Sequence, residues 1–386
     1  MFARFCQRFG PIAALTPLFS LAQCQNASPH KPDTTRRQAV VQVVEQLQHS
    51  FVTVLQALDP QDAPFHPISW LRDEGLHGGG TRYQSPSESL SFKQATVNVS
   101  SVHFDDVAKY PIDSATALSV IIHPHHPHAP SMHFHISFME PKKGKAYWRL
   151  IADLNPAIPR AEDEQIFSQA VQQVPHLSKV LYADAKQFGD KYFYIPSLGR
   201  HRGTYHFFVG KLDDDELSFD NSCEMAVALA NTVISTYATM VNKALREHPL
   251  QKIAAEEVTE LAAQQIAYHT LYLYQVLTLD RGTTHGVMAH NQNDIGTLGS
   301  LPPRINCELL KHWMQTRTPS PQNELLLQVL DIIPSNGAID DAVRGELAEI
   351  VRVHYRSSAE ARKNQADLDL KWWAEQTKVR IAAASE

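Results

Sequence analysis

The spacing of polar and apolar positions along this chain changes period several times, and each change marks an element. From Arg36 to Leu58 the apolar residues Val40, Val43, Val44, Leu47, Phe51, Val54, Leu55 and Leu58 recur at helical spacing, which predicts an amphipathic helix. Short runs at 90–103, 115–123 and 131–139 predict strands. The last alternates strictly, with Met132, Phe134, Ile136 and Phe138 on one side and Ser131, His133, His135 and Ser137 on the other. A strand of this kind belongs to a sheet that is covered on its apolar face and lines a cleft with its polar one. Helical periods return over 163–187, 225–245, 258–278 and 323–333, and strand-like runs lie at 192–194 and 203–209. A charged helical tail with Leu347, Ile350, Val351, Trp372 and Trp373 closes the sequence, and no internal repeat is present. Helices flanking an antiparallel sheet make this an α+β protein.

The strands 116–123 and 131–138 are joined by Pro124–Pro130, a seven-residue loop. If they pair antiparallel, Ile121 stands opposite His133 and Ser119 opposite His135. Ser119, His123, His133 and His135 then share one face. Residues two apart on a strand are about 6–7 Å apart along the backbone. Two such imidazoles could converge on one ion, or one could hold a substrate while the other moves a proton. His206, on the strand-like run 203–209, would extend the set if that strand lies nearby. His125, His126 and His128 read as a solvated, histidine-rich loop.

Composition narrows the classes. The chain has 386 residues, 43% of them hydrophobic, which is ample for a large core. Its formal net charge of −6 shows no clustered basic face for nucleic acid. Four cysteines fit neither a zinc ribbon nor a disulfide scaffold, and Cys223 and Cys307 read as buried thiols. At the N-terminus Arg4 and Arg8 precede a short apolar stretch and Ser20-Leu21-Ala22, as in a secretory signal. The organisation expected is a signal-like leader at 1–25, a linker at 26–35, a main domain at 36–334 and a helical extension at 335–386. Export and a cytoplasmic location both stay open, and no segment is long and apolar enough to span a bilayer.

The hairpin "ALSVIIHPHHPHAPSMHFHISFM" resembles the "GVSLVxHPxNPxxPTxHxNxRxF" segment of the oxygen-dependent coproporphyrinogen III oxidases. Further segments resemble that family in its order. They are Ser69–Gly75 with the glycine run to Arg82, Phe92–Ser100, Tyr147–Pro156, Tyr192–Gly203, and Asp280–Thr283 with Gly286 and Leu301-Pro302-Pro303. The resemblance covers about residues 38–332. It implies a broad antiparallel sheet flanked by helices and working as a homodimer. It also implies oxidative decarboxylation of two propionates of coproporphyrinogen III to vinyl groups, giving protoporphyrinogen IX, with dioxygen as co-substrate and no organic cofactor. By position, Ser119 would contact substrate, His123 and His133 would be metal-associated, His133 would also donate a proton, and Asp153 would hold the pyrrole nitrogens. A divalent metal (copper, iron or manganese) is an open expectation.

Departures from the family pattern raise two further readings. His135 and Ser137 stand where the family has Asn and Arg, and both are taken as substrate-facing here. Gln169 and Ser197 replace two histidines, the arginine near 290–293 is gone, and Leu150, Ile151 and Ala152 replace glycines. Arg281 is expected to be structural or to face substrate. The second reading is therefore a histidine-metal oxidase or decarboxylase acting on a less acidic substrate, with His123, His133, His135 and His206 as ligands. The third is a non-catalytic binder of a tetrapyrrole or a metal.

Overall fold

The computed structural model describes residues 34–366 apart from 109, 291–292 and 317–319, together with 373 and 375–376. The expected leader, most of the linker and Trp372 lie outside the described residues. The chain opens with helix α1 (Thr34–Leu58) and then runs through strands β1 (His66–Leu71), β2 (Gly78–Gln84), β3 (Phe92–His103), β4 (Ile112–Pro124), β5 (Ser131–Pro141) and β6 (Tyr147–Asn155). Helices α2 (Ala161–Gln172) and α3 (Lys179–Phe193) precede the short pair β7 (Tyr194–Ile195) and β8 (Arg200–His201), and then β9 (Tyr205–Asp213). The rest is helical: α4 (Phe219–Glu247), α5 (Ala255–Thr278), α6 (Arg281–Ala289), α7 (Asp294–Thr297), α8 (Cys307–Thr316), α9 (Pro321–Ile332), α10 (Asp341–Ser357) and α11 (Ala359–Lys363). Among the described residues no helix is long and apolar enough to cross a membrane.

Seven strands form one antiparallel sheet in the order β1-β2-β3-β4-β5-β6-β9, as the α+β reading expects. Strand alternation gives the sheet two unlike faces. One carries Val97, Val99, Leu118, Val120, Phe134, Ile136, Leu150, Ala152, Phe207 and Val209, buried under α1, α2 and α4. Phe51 of α1 stacks on Phe134 with ring centroids 5.3 Å apart. Gln48 of α1 donates to the carbonyls of Thr81 and Val97, which ties the helix to the sheet. Close strand approach explains the glycine run of β2: a Cβ on Gly80 would lie 2.0 Å from the Val99 carbonyl oxygen.

The other face is polar. It looks toward a second core built from α5, α6 and α8–α11, with Tyr272, Leu277, Leu310, Leu325, Leu347, Val351 and Tyr355 at its centre. In the middle of this face Asn98, Ser119, Ile121, His133, His135 and Arg149 keep partial solvent access while their strand neighbours are buried. These positions outline a cleft between the sheet and the helical layer. The C-terminal extension belongs to that layer: Leu347, Val351 and Tyr355 of α10 are fully buried in it.

Several expectations need correction. The helical pattern 163–187 is two helices, broken near Pro175, whose ring cannot continue a helix; His176 there has φ 62°. Tyr192 and Phe193 end α3, and the strand starts only at Tyr194. The histidine loop is not solvated throughout, because His126 is buried and donates to the His248 carbonyl while His128 stacks on the His248 ring at 4.1 Å. Cys223 and Cys307 are buried, as read. Since Phe134 is completely buried at the sheet centre, Phe134→Ala should cost about 3–5 kcal/mol in urea unfolding. A loss below about 1 kcal/mol would mean that this face of the sheet is not the packed core.

Candidate active site

Register sets the floor of the cleft. Ser119 pairs with His135 and Ile121 with His133, as the hairpin spacing predicts. One strand further, His133 pairs with Asp153 and Ser137 with Arg149, and Asp153 in turn pairs with His206. Side chains directly opposite one another share a face, so Ser119, His135, His133, Asp153 and His206 all project into the helical layer.

His133 Nδ1 lies 2.7 Å from Asp153 Oδ2, and Arg202 Nη2 donates to the same oxygen at 2.6 Å. Arg202 also donates to Gln275 Oε1 at 2.8 Å and sits over the rings of Phe193 and Tyr272. Asp153 and Arg202 are sealed, with side chains 0% and 1% exposed, whereas His133 keeps 13%. The bend that delivers Arg202 follows β8. Its N–H donates to the Phe193 carbonyl, and Gly203 beside it approaches β6 so closely that a Cβ would lie 2.3 Å from Asn155 Oδ1.

Burial and charge decide the protonation of this group. Burial pushes the Asp153 carboxyl up to about 7, against the opposing pull of Arg202 and His206. Burial, reinforced by the Arg202 charge, pushes His133 down to about 3, and burial does the same to His135. Both imidazoles are therefore neutral near pH 7. The His133–Asp153 contact then holds one proton that either partner can carry. With Asp153 ionised, Nδ1 of His133 carries it and Nε2 is a free base. With Asp153 protonated, Nδ1 accepts and Nε2 bears the hydrogen. His135 Nδ1 is likewise engaged, with Ser119 Oγ at 2.7 Å, which leaves its Nε2 for a ligand.

The remaining expected site residues are placed differently. His123 is fully buried, with Nε2 donating to the Ser300 carbonyl and Nδ1 against Ser131 Oγ. His206 donates from Nδ1 to Asp190 and accepts at Nε2 from the Gly203 N–H, between the rings of Phe193 and His201. Both rings have no nitrogen left over, so His123, His133, His135 and His206 do not fit a common four-imidazole metal centre. Among the described residues, the three-residue group whose ligand atoms converge within 4.8 Å is Asp73, His77 and Asp106. It lies by the β1–β2 turn, and Asp106 is already paired with Arg72. Arg281 is structural, donating to the carbonyls of Ala366 and Arg362 in the extension rather than facing the cleft. Ser137 is buried on the cleft face, opposite Arg149. Asp153 is sealed beneath His133, so of that pair His133 is the one the cleft exposes.

Arg202, Gln275 and Tyr272 were not legible as site residues; the only signal was the Arg202-Gly203 pair within the resembling segment. Removing one member of a buried ion pair strands the other's charge. Arg202→Ala should therefore lower stability by about 3–5 kcal/mol in chemical unfolding at pH 8. A change below about 1 kcal/mol would show that Asp153 does not rely on it.

This geometry can be set beside known families. The family model described as coproporphyrinogen III oxidase matches residues 39–332. The matched stretch begins within α1, ends with α9 and contains every cleft residue described above, while α10 and α11 lie beyond it. With most of its length matched in this way, the chain belongs to the coproporphyrinogen III oxidase family, an enzyme family of porphyrin biosynthesis.

Proposed function

We propose that this chain oxidatively decarboxylates the propionate side chains of coproporphyrinogen III to vinyl groups, using dioxygen and giving protoporphyrinogen IX. For each propionic acid group, dioxygen takes up two electrons and two protons, and the products are the vinyl group, carbon dioxide and hydrogen peroxide. The observation that carries the reading, beyond family membership, is a proton-holding dyad on the floor of a polar cleft: His133 over Asp153, with Arg202 fixed behind it.

The substrate arrives reduced and carrying the hydrogens it will lose. The first proton therefore moves from substrate to His133 Nε2, which is a base when Asp153 is ionised. The Nδ1 proton can then pass to Asp153, and His133 Nε2–H becomes the donor that returns a proton to reduced dioxygen. The relay neither gains nor loses a proton over the cycle. Ser119 and His135, hydrogen-bonded to one another, supply polar contacts beside it. The homodimer and the absence of an organic cofactor form part of the same proposal and rest on the family resemblance.

Because the base form starts the cycle, kcat/KM should rise with pH through about 7, following the ionisation of Asp153. The test is an aerobic assay with coproporphyrinogen III, reading porphyrin fluorescence after oxidation. Turnover is expected, with His133→Ala reducing kcat by roughly 10²–10⁴ and Asp153→Asn removing the inflection near pH 7. No turnover by well-folded protein would overturn the assignment.

A further inference from the structure

We infer that Arg149 is a carboxylate anchor in the cleft and gives the site its selectivity for an acidic tetrapyrrole; this rests on the function proposed above. Arg149 stands on β6 on the cleft face and keeps partial solvent access. Its Nη2 donates to the Tyr147 hydroxyl at 3.2 Å, its guanidinium lies 5.5 Å from the Tyr147 ring centre, and its Nε is buried without a partner. Among the described residues no carboxylate pairs with it.

Other arginines near the cleft are already committed. Arg202 holds Asp153, Arg281 holds backbone carbonyls, and Arg72 holds Asp106. Among the described residues Arg82 also has no carboxylate in contact, but it is sealed at 3% exposure and cannot receive a ligand from the cleft. Arg149 is thus a partly desolvated cation whose charge acts on Tyr110, His135 and His285, all neutral at pH 7. A guanidinium in that setting gains most from a carboxylate, which it can take through two parallel hydrogen bonds.

Its position suits that use. Ser137, directly opposite, occupies the position where the resembling segment has arginine, so the charge missing from β5 reappears on the neighbouring strand, with side-chain origins about 5 Å apart. Along β6, Arg149 is four residues from Asp153, about 13 Å. A macrocycle with carboxylates on several edges can therefore place one at Arg149 while another propionate lies over His133. Substrates lacking that second acid would lose the anchor.

The experiment compares binding of coproporphyrin III and its tetramethyl ester to the full chain, by fluorescence titration at pH 8. The wild-type protein should prefer the free acid by about tenfold or more, the worth of a charge-assisted contact. Arg149→Met should remove most of that preference by weakening acid binding alone, with ester binding and the melting temperature unchanged. Adding Ser137→Arg to Arg149→Met should restore it. If Arg149→Met keeps the full preference while the wild-type protein binds and turns over its porphyrinogen, the anchor assignment is overturned and the functional reading stands. If the wild-type protein binds neither porphyrin and shows no turnover, the functional reading falls and the anchor with it.

Discussion

The ion pair between Asp153 and Arg202 is the constraint around which this molecule is arranged. Neither side chain is exposed to water, so a charge on either is costly there without its partner. Keeping them together requires three separate pieces of chain. β6 must carry Asp153 inward, the bend after β8 must bring Arg202 back across it, and α5 must supply Gln275 for the guanidinium's other terminal nitrogen. The pairing of β9 beside β6 and the closeness of Gly203 to Asn155 follow from the same requirement.

His133 converts that buried arrangement into something a ligand can meet. It is the member of the cluster that keeps solvent access, and its Nδ1 is tied to the carboxylate below. Burial holds the imidazole neutral and holds the carboxyl near the middle of the physiological range. The nitrogen offered to the cleft therefore changes between acceptor and donor without the ring becoming charged. The helical layer maintains this setting from above. Tyr355 of α10 donates to the carbonyls of Leu277 and Thr278 at the end of α5, and Arg352 pairs with Asp294 at the start of α7. The extension beyond the family match thus braces the roof of the cleft.

Much of the framework was legible because it obeys simple periods. The strict alternation of 131–139 and the short loop before it were enough to place Ser119 against His135 and His133 against Ile121. β6 escaped because it is buried on both faces, so YWRLIADLN shows no clean alternation. β1 and β2 escaped because their glycines and prolines carry no strand propensity. The roles of individual histidines were the least legible part. His123 and His206 look on paper like His133, yet what separates them is the Ser300 carbonyl and Asp190, distant in sequence and invisible to spacing. The same holds for Arg281, whose partners lie in the extension.

A single proton shared by His133 and Asp153 governs the site, and the ring nitrogens of His133 report it directly. Nitrogen NMR of protein labelled at histidine, with His133 assigned by substitution, should be followed from pH 5 to pH 9. A neutral ring is expected throughout, with its hydrogen on Nε2 at the acid end and on Nδ1 above about pH 7. Asp153→Asn should abolish the change. An ordinary imidazolium titration near pH 6.5, unaffected by Asp153→Asn, would contradict it.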